Sequence, residues 1–156
     1  MKSHIIPKFA AEWIKRTSAT GFMRQMEQPN LRRQDFPTFR LLCASCEGIF
    51  ARWEKQFAEE IFIPYQEKRP KNMPYGDWLL RFAISLAWRT TVISAEDFRQ
   101  ESPELAPYVD RALRSWKTFL LGEDQRWGTY AHHLFFLDDI APSSTMPVPE
   151  KTHWYL

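Results

Sequence analysis

Glycine is scarce, with five in 156 residues, and cysteine is scarcer, with two. So few glycines exclude the phosphate cradles that depend on them: neither GxGxxG nor GxxxxGK[ST] can be written anywhere in the chain. No GxSxG nucleophile elbow is present either, so a serine or cysteine hydrolase finds little support. Two cysteines cannot build a disulfide framework, and Cys43 and Cys46 stand three apart in a chain without a recognisable export signal. Their reduced state is expected. The opening MKSHIIPKFAAEWIKR holds no apolar run long enough for a secretory leader. Nor does any uncharged apolar run approach the roughly eighteen residues of a membrane span; the run over residues 82–88 is closed by Arg89. A soluble, cytoplasmic protein with no membrane partner is the expectation.

What is present is globular chemistry. Apolar residues make up 44%, aromatics 15% and charged residues 26%, which excludes disorder over most of the chain. Seven Trp and twelve Phe supply large burial areas and read as core, not as a cofactor box. The net charge of +2 hides an asymmetry. Residues 1–42 carry eight Lys and Arg against Glu12, Glu27 and Asp35, a net +5, which leaves −3 for the remainder. A basic N-terminal third on a mildly acidic body suits an anionic partner, with a solvated face as the plain alternative.

Hydrophobic spacing predicts a mostly helical chain. Pro7 opens a helix whose Phe9, Trp13 and Arg16 share one side, and Thr20-Gly21 offers its stop. The polar stretch from Glu27 to Pro37 reads as loop or short hairpin, and Phe39 to Leu42 as a short strand. From Cys46, the residues Ile49, Phe50, Trp53, Phe57 and Ile61 line one helical face, with Glu54, Lys55, Glu59 and Glu60 largely off it and Pro64 as the terminator. QEKRPKNMP, over residues 66–74, reads as a linker. Asp77 to Ile93 is apolar on more than one side and is expected to be a central helix. Ser102-Pro103 looks like a capped helix opening, Pro107 marks a second possible start, and Gly122 a stop. HLFFL at 133–137 suits a strand or a helical turn, and APSSTMPVPE at 141–150 a proline-rich tail. The expected layout is residues 1–63, 75–140 and 141–156, in one compact unit.

SHIIPKF at 3–9, followed by LLCASCE at 41–47, is the constellation that could carry chemistry. A histidine ending a short strand, a loop, and a CxxC opening a helix is the wiring of a ββα-metal module. In order, these pieces resemble bacterial HNH-like proteins of the treble-clef class, over roughly residues 3–60. The resemblance implies a mainly α fold: a helical domain with a small N-terminal treble-clef-like ββα module. It implies a nucleic-acid-directed protein, DNA favoured over RNA, and, if active, a divalent-metal-dependent endonuclease. His4 would be the general base and Glu47 a ligand of a catalytic Mg²⁺ or Mn²⁺. Cys43 and Cys46 would be ligands of a structural zinc. Zinc is favoured over a redox pair here because Ala44-Ser45 lacks the Trp or Gly-Pro common inside redox motifs.

Arg32, Arg33 and Arg40 would contact phosphates, an inference from charge alone. The family's first CxxC does not appear before His4, Glu47 stands where the family usually has His or Asn, and Asn30-Leu31 lies farther from Cys43 than the family's Asn-Leu. His132 or His133 could complete a zinc site from far along the chain. Each residue also has a plainer reading: His4 as a packing histidine, the cysteines as small buried residues, Glu47 as a favourable charge at a helix start, Arg32 and Arg33 as solvated. The competing function is a non-catalytic helical module, with a degenerate zinc site, that binds a protein partner.

Overall fold

Pro7, buried at the entrance to the first helix, fixes the backbone there. The computed structural model describes residues 2–25 and 28–134; the side chains of 25–29 are outside that description. The order is β1 (Ser3–His4), α1 (Lys8–Thr17), β2 (Met23–Gln25), β3 (Gln28–Arg33), β4 (Thr38–Phe39), α2 (Ala44–Phe57), a π-helical turn (Ala58–Phe62), α3 (Ile63–Lys68), α4 (Asp77–Glu101) and α5 (Ala106–Leu120). The mainly α expectation holds, with the short strands confined to the N-terminal part. No helix among the described residues is long and apolar enough to cross a membrane.

Two small antiparallel pairs form. β1 pairs with β4 in the register Ser3↔Phe39 and His4↔Thr38. β2 pairs with β3 as a hairpin, Met23↔Arg33 and Arg24↔Arg32, with an irregularity after Arg24. The polar stretch from Glu27 to Pro37, read as loop or short hairpin, thus holds the second strand of this hairpin, whose first strand lies before it. Strands this short are not independently stable, so tertiary anchors must hold them. Ser3 is fully buried and its hydroxyl accepts the Leu42 N–H at 3.2 Å, which ties β1 to the segment entering α2.

Pro64 does not end the second helix as its position suggests. The Ile63 N–H reaches back to the Ala58 carbonyl, so the turn before it widens to i→i+5 pairing. Pro64 then falls in the first turn of α3, where a missing N–H has no intrahelical partner to lose. The segment read as a linker thus begins inside a helix. At the other opening, Ser102 does not cap: α5 starts at Ala106 with Pro107 in its first turn, the second of the two starts. Gly122 is the stop. Its φ of 77° suits glycine, and the Gly122 N–H bonds to the Phe119 carbonyl while the Glu123 N–H bonds to Thr118. The expected strand or turn at 133–137 lies only partly within the described residues, where 133–134 is irregular; the proline-rich tail lies outside them.

The core has two clusters. Phe50 from α2, Ile84 from α4 and Ala112, Trp116, Phe119 and Leu120 from α5 form one. Phe57, Ile61 and Phe82 form the other, with Phe9 of α1 packed against it. Phe57 and Phe82 stack with centroids 4.1 Å apart at 14°. At about 1.5–3 kcal/mol per fully buried large apolar side chain, these clusters make α4 the common wall of α1, α2 and α5.

Candidate functional site

His4 closes β1, and its position across from Thr38 aims the side chain toward the chain that follows the hairpin. There its Nε2 meets Asp35 Oδ2 at 2.8 Å. Asp35 is itself held, its Oδ1 accepting the Phe36 N–H at 2.9 Å. Burial pushes the Asp35 carboxyl up, but the His4 hydrogen bond, the Phe36 amide and the charges of His4 and Lys15 outweigh it. The carboxyl therefore lies below its ordinary value and is ionised at neutral pH. A neutral imidazole that donates its Nε2 hydrogen to Asp35 carries its lone pair on Nδ1, the form needed to take a proton from water.

Behind His4 lies a buried cation. Arg89 of α4 is 2% exposed. Its Nη1 donates to the His4 carbonyl at 2.8 Å and pairs with Glu54 Oε1 at 2.6 Å, its Nε reaches the Ser85 carbonyl at 3.3 Å, and the guanidinium lies 5.6 Å from the Phe50 ring centroid. One side chain thus joins β1, α2 and α4. Glu54, read as lying off the apolar face, is turned inward. Burial pushes its carboxyl up, the Arg89 charge and hydrogen bond oppose that, and the Glu47 charge adds to the rise. Glu47 and Glu54 are two turns apart on α2 and share this side of it. Glu47 Oε1 is buried with no hydrogen-bond partner among the described residues, as is Arg89 Nη2.

Arg24, Arg32 and Arg33 sit on the β2–β3 ribbon, and Arg40 follows β4. Arg24 and Arg32 are exposed and face each other across the β2–β3 ladder, a like-charge pairing that is unfavourable on its own. Arg32 lies over the Phe22 ring, 4.8 Å from its centroid. Arg33 is exposed on the strand that leads into Asp35, and Arg40 is exposed just after β4. Lys15 of α1 donates to the Gln34 carbonyl at 2.9 Å and pins the base of the ribbon. Asn30 is exposed in β3.

Cys43 and Cys46 stand at the N-terminus of α2, Cys46 directly before Glu47. Cys43 is exposed and is the N-cap, its sulfur accepting the Cys46 N–H. His132 is not with them: it packs edge-on against Trp116, 5.4 Å between centroids, and lines a separate cavity with Met73, Tyr75 and Asp77. Its burial, and then the His133 charge, lower its proton affinity. Among the described residues no group of three or more His, Cys, Asp or Glu could hold a metal ion. Of the four ligands that a structural zinc takes, the described residues bring together the two sulfurs of Cys43 and Cys46. A hard divalent cation asks less of the protein, one or two carboxylates beside waters and substrate phosphate, and the unpartnered Glu47 Oε1 suits that role.

No family model, curated protein or solved structure matches this chain. The site therefore stands on its own geometry. His4, Glu47 and the arginines were legible as candidates; Asp35, Glu54 and Arg89 were not. The one signal for Arg89 was a charge set in the most apolar stretch of the chain.

Proposed function

We propose that this chain is a nucleic-acid-directed protein of the HNH-like kind, an endonuclease in which His4 acts on a phosphodiester, with DNA as the preferred polymer. The observation that carries the reading is the His4–Asp35 pair at 2.8 Å, placed where the β1–β4 pair meets α2. Asp35 orients the imidazole, and Nδ1 accepts the proton of an attacking water. Glu47 would hold a Mg²⁺ or Mn²⁺, which when bound would neutralise charge on the phosphate and the leaving oxygen. Arg89 holds the His4 backbone, so the base does not drift from the helix that carries Glu47. A two-stranded ribbon fits the major groove; Arg24, Arg32 and Arg33 on it, with Arg40 after β4, supply phosphate contacts.

Titrating a fluorescent DNA duplex, and a matched RNA, across a salt series tests this directly. Log affinity for DNA falls linearly with log salt, by about 0.9 per phosphate contact. Reversing Arg32, Arg33 and Arg40 to Glu flattens that slope. Binding that is weak and salt-independent for both polymers overturns the reading.

A second reading has one observation behind it. Phe98, Leu105 and Tyr108, respectively 40%, 45% and 57% exposed, gather at the α4–α5 turn. Such a patch suits a protein partner on a non-catalytic helical module. Under that reading, Leu105→Ser with Tyr108→Ser abolishes complex formation while His4→Ala leaves it intact.

A further inference from the structure

We infer that Cys43 and Cys46 form a dithiol–disulfide exchange site whose substrates are peptidyl disulfides, a chemistry independent of the His4 site. The two thiols are set three residues apart at the start of a fourteen-residue helix, a spacing that puts neighbouring side chains on one face. They are not equivalent. Cys43 is exposed at the N-cap, its Sγ 3.0 Å from Ser45 Oγ and 3.5 Å from the Cys46 N–H, so a negative sulfur there is met by donors. Cys46 is half-buried one turn further in.

That placement divides the labour between the two sulfurs: Cys43, exposed and met by donors at the helix start, attacks, and Cys46, sheltered one turn further in, resolves. Beside the sulfurs lies a hollow of about 250 Å³, with Leu42, Phe50 and Trp88 as its apolar floor and Lys117 at its edge, which can seat the residues flanking a substrate disulfide. The described residues bring no third ligand that would commit the pair to a metal.

The reaction balances. The Cys43 thiolate attacks one sulfur of the substrate disulfide; that S–S bond breaks and the first substrate thiolate leaves and takes a proton. Cys46 then loses its proton and its sulfur attacks Cys43 Sγ, expelling the second substrate thiolate, which is protonated in turn. Two electrons pass from the dithiol to the substrate, leaving a Cys43–Cys46 disulfide and two substrate thiols.

Oxidised glutathione is the probe, applied to the reduced full chain at pH 7 and read by intact mass and thiol count. The wild type loses both thiols and retains no glutathione. Cys46→Ser holds one glutathione on Cys43, trapped as the mixed disulfide. Cys43→Ser, which keeps a good N-cap residue and so keeps the helix, reacts at least tenfold more slowly than Cys46→Ser. Circular dichroism of both variants checks that they remain folded. A wild type that accumulates glutathione on one cysteine without closing the disulfide overturns the inference. So do equal rates for the two variants, or a purified chain whose two thiols are held by one equivalent of zinc.

Discussion

Replacing Arg89 with methionine removes a guanidinium that is 2% exposed while keeping most of the side chain's apolar stem. Three attachments go at once: the His4 carbonyl at 2.8 Å, Glu54 at 2.6 Å and the Ser85 carbonyl at 3.3 Å. Glu54, 18% exposed, is left as a buried carboxylate without its cation. Removing one partner of a buried ion pair costs about 3–5 kcal/mol. At about 2–4 °C per kcal/mol for a domain of this size, that lowers Tm by about 6–20 °C.

The cost should depend on pH, with a definite sign. Burial already pushes the Glu54 carboxyl above its ordinary value, and Arg89 is what holds it down. Without Arg89 its folded-state value rises further above the unfolded one. The folded state then binds more protons than the unfolded one between those two values. The penalty is full at neutral pH and shrinks as pH falls through the folded-state value. Urea denaturation at pH 7 and pH 5, with Glu54→Leu and the double variant completing a cycle, measures this. The double variant recovers about 1–3 kcal/mol relative to the sum of the singles. A strictly additive cycle, or a single-variant cost under about 1 kcal/mol at pH 7, would refute the claim that Arg89 ties β1 to α2 through a desolvated pair.

Further expectations follow from the same contacts. Asp35→Asn changes stability by less than about 1 kcal/mol, because Asp35 is 39% exposed. The stabilisation its lowered carboxyl provides is present at neutral pH and lost as pH falls through the folded-state value, so the variant flattens the acid limb of a stability–pH curve. Phe82→Ala, at a residue 2% exposed and stacked on Phe57, costs about 3–5 kcal/mol by calorimetry. Two glycine substitutions separate backbone from packing, since a Cβ at either position meets nothing within 4 Å. Gly122→Ala, at φ 77°, destabilises by about 1–2 kcal/mol; Gly48→Ala, inside α2, stabilises by about 0.5–1 kcal/mol.

Local chemistry was legible along the chain, and pairing at a distance was not. Helical spacing placed α2, α4 and α5 because each has a stripe of aromatics and aliphatics whose period needs no partner to be read. Gly122 marked a real stop through its positive φ, whereas α1 ends at Thr17 with Ser18 in extended backbone, before the expected stop at Thr20-Gly21 is reached. Pro64 misled because a proline's missing N–H can be absorbed by a widened turn just before it, which periodicity does not register. Glu54 misled for a different reason: a carboxylate beside Lys55 reads as solvated until Arg89, 35 positions on, is known to face it. Asp35 likewise meets His4 only because the hairpin folds 31 residues back on themselves. The cysteines were visible as a pair, but their inequivalence comes from the helix cap, since Cys43 alone is exposed at the N-cap.

The most direct test of the His4 assignment is cleavage of an end-labelled DNA duplex in Mg²⁺ and in Mn²⁺ by the wild type and by His4→Ala, with folding checked by circular dichroism. The account predicts metal-dependent cleavage that falls by roughly 10²–10⁴-fold in the variant while duplex binding is retained. Equal cleavage by both proteins, or none by a wild type that binds the duplex, would contradict it.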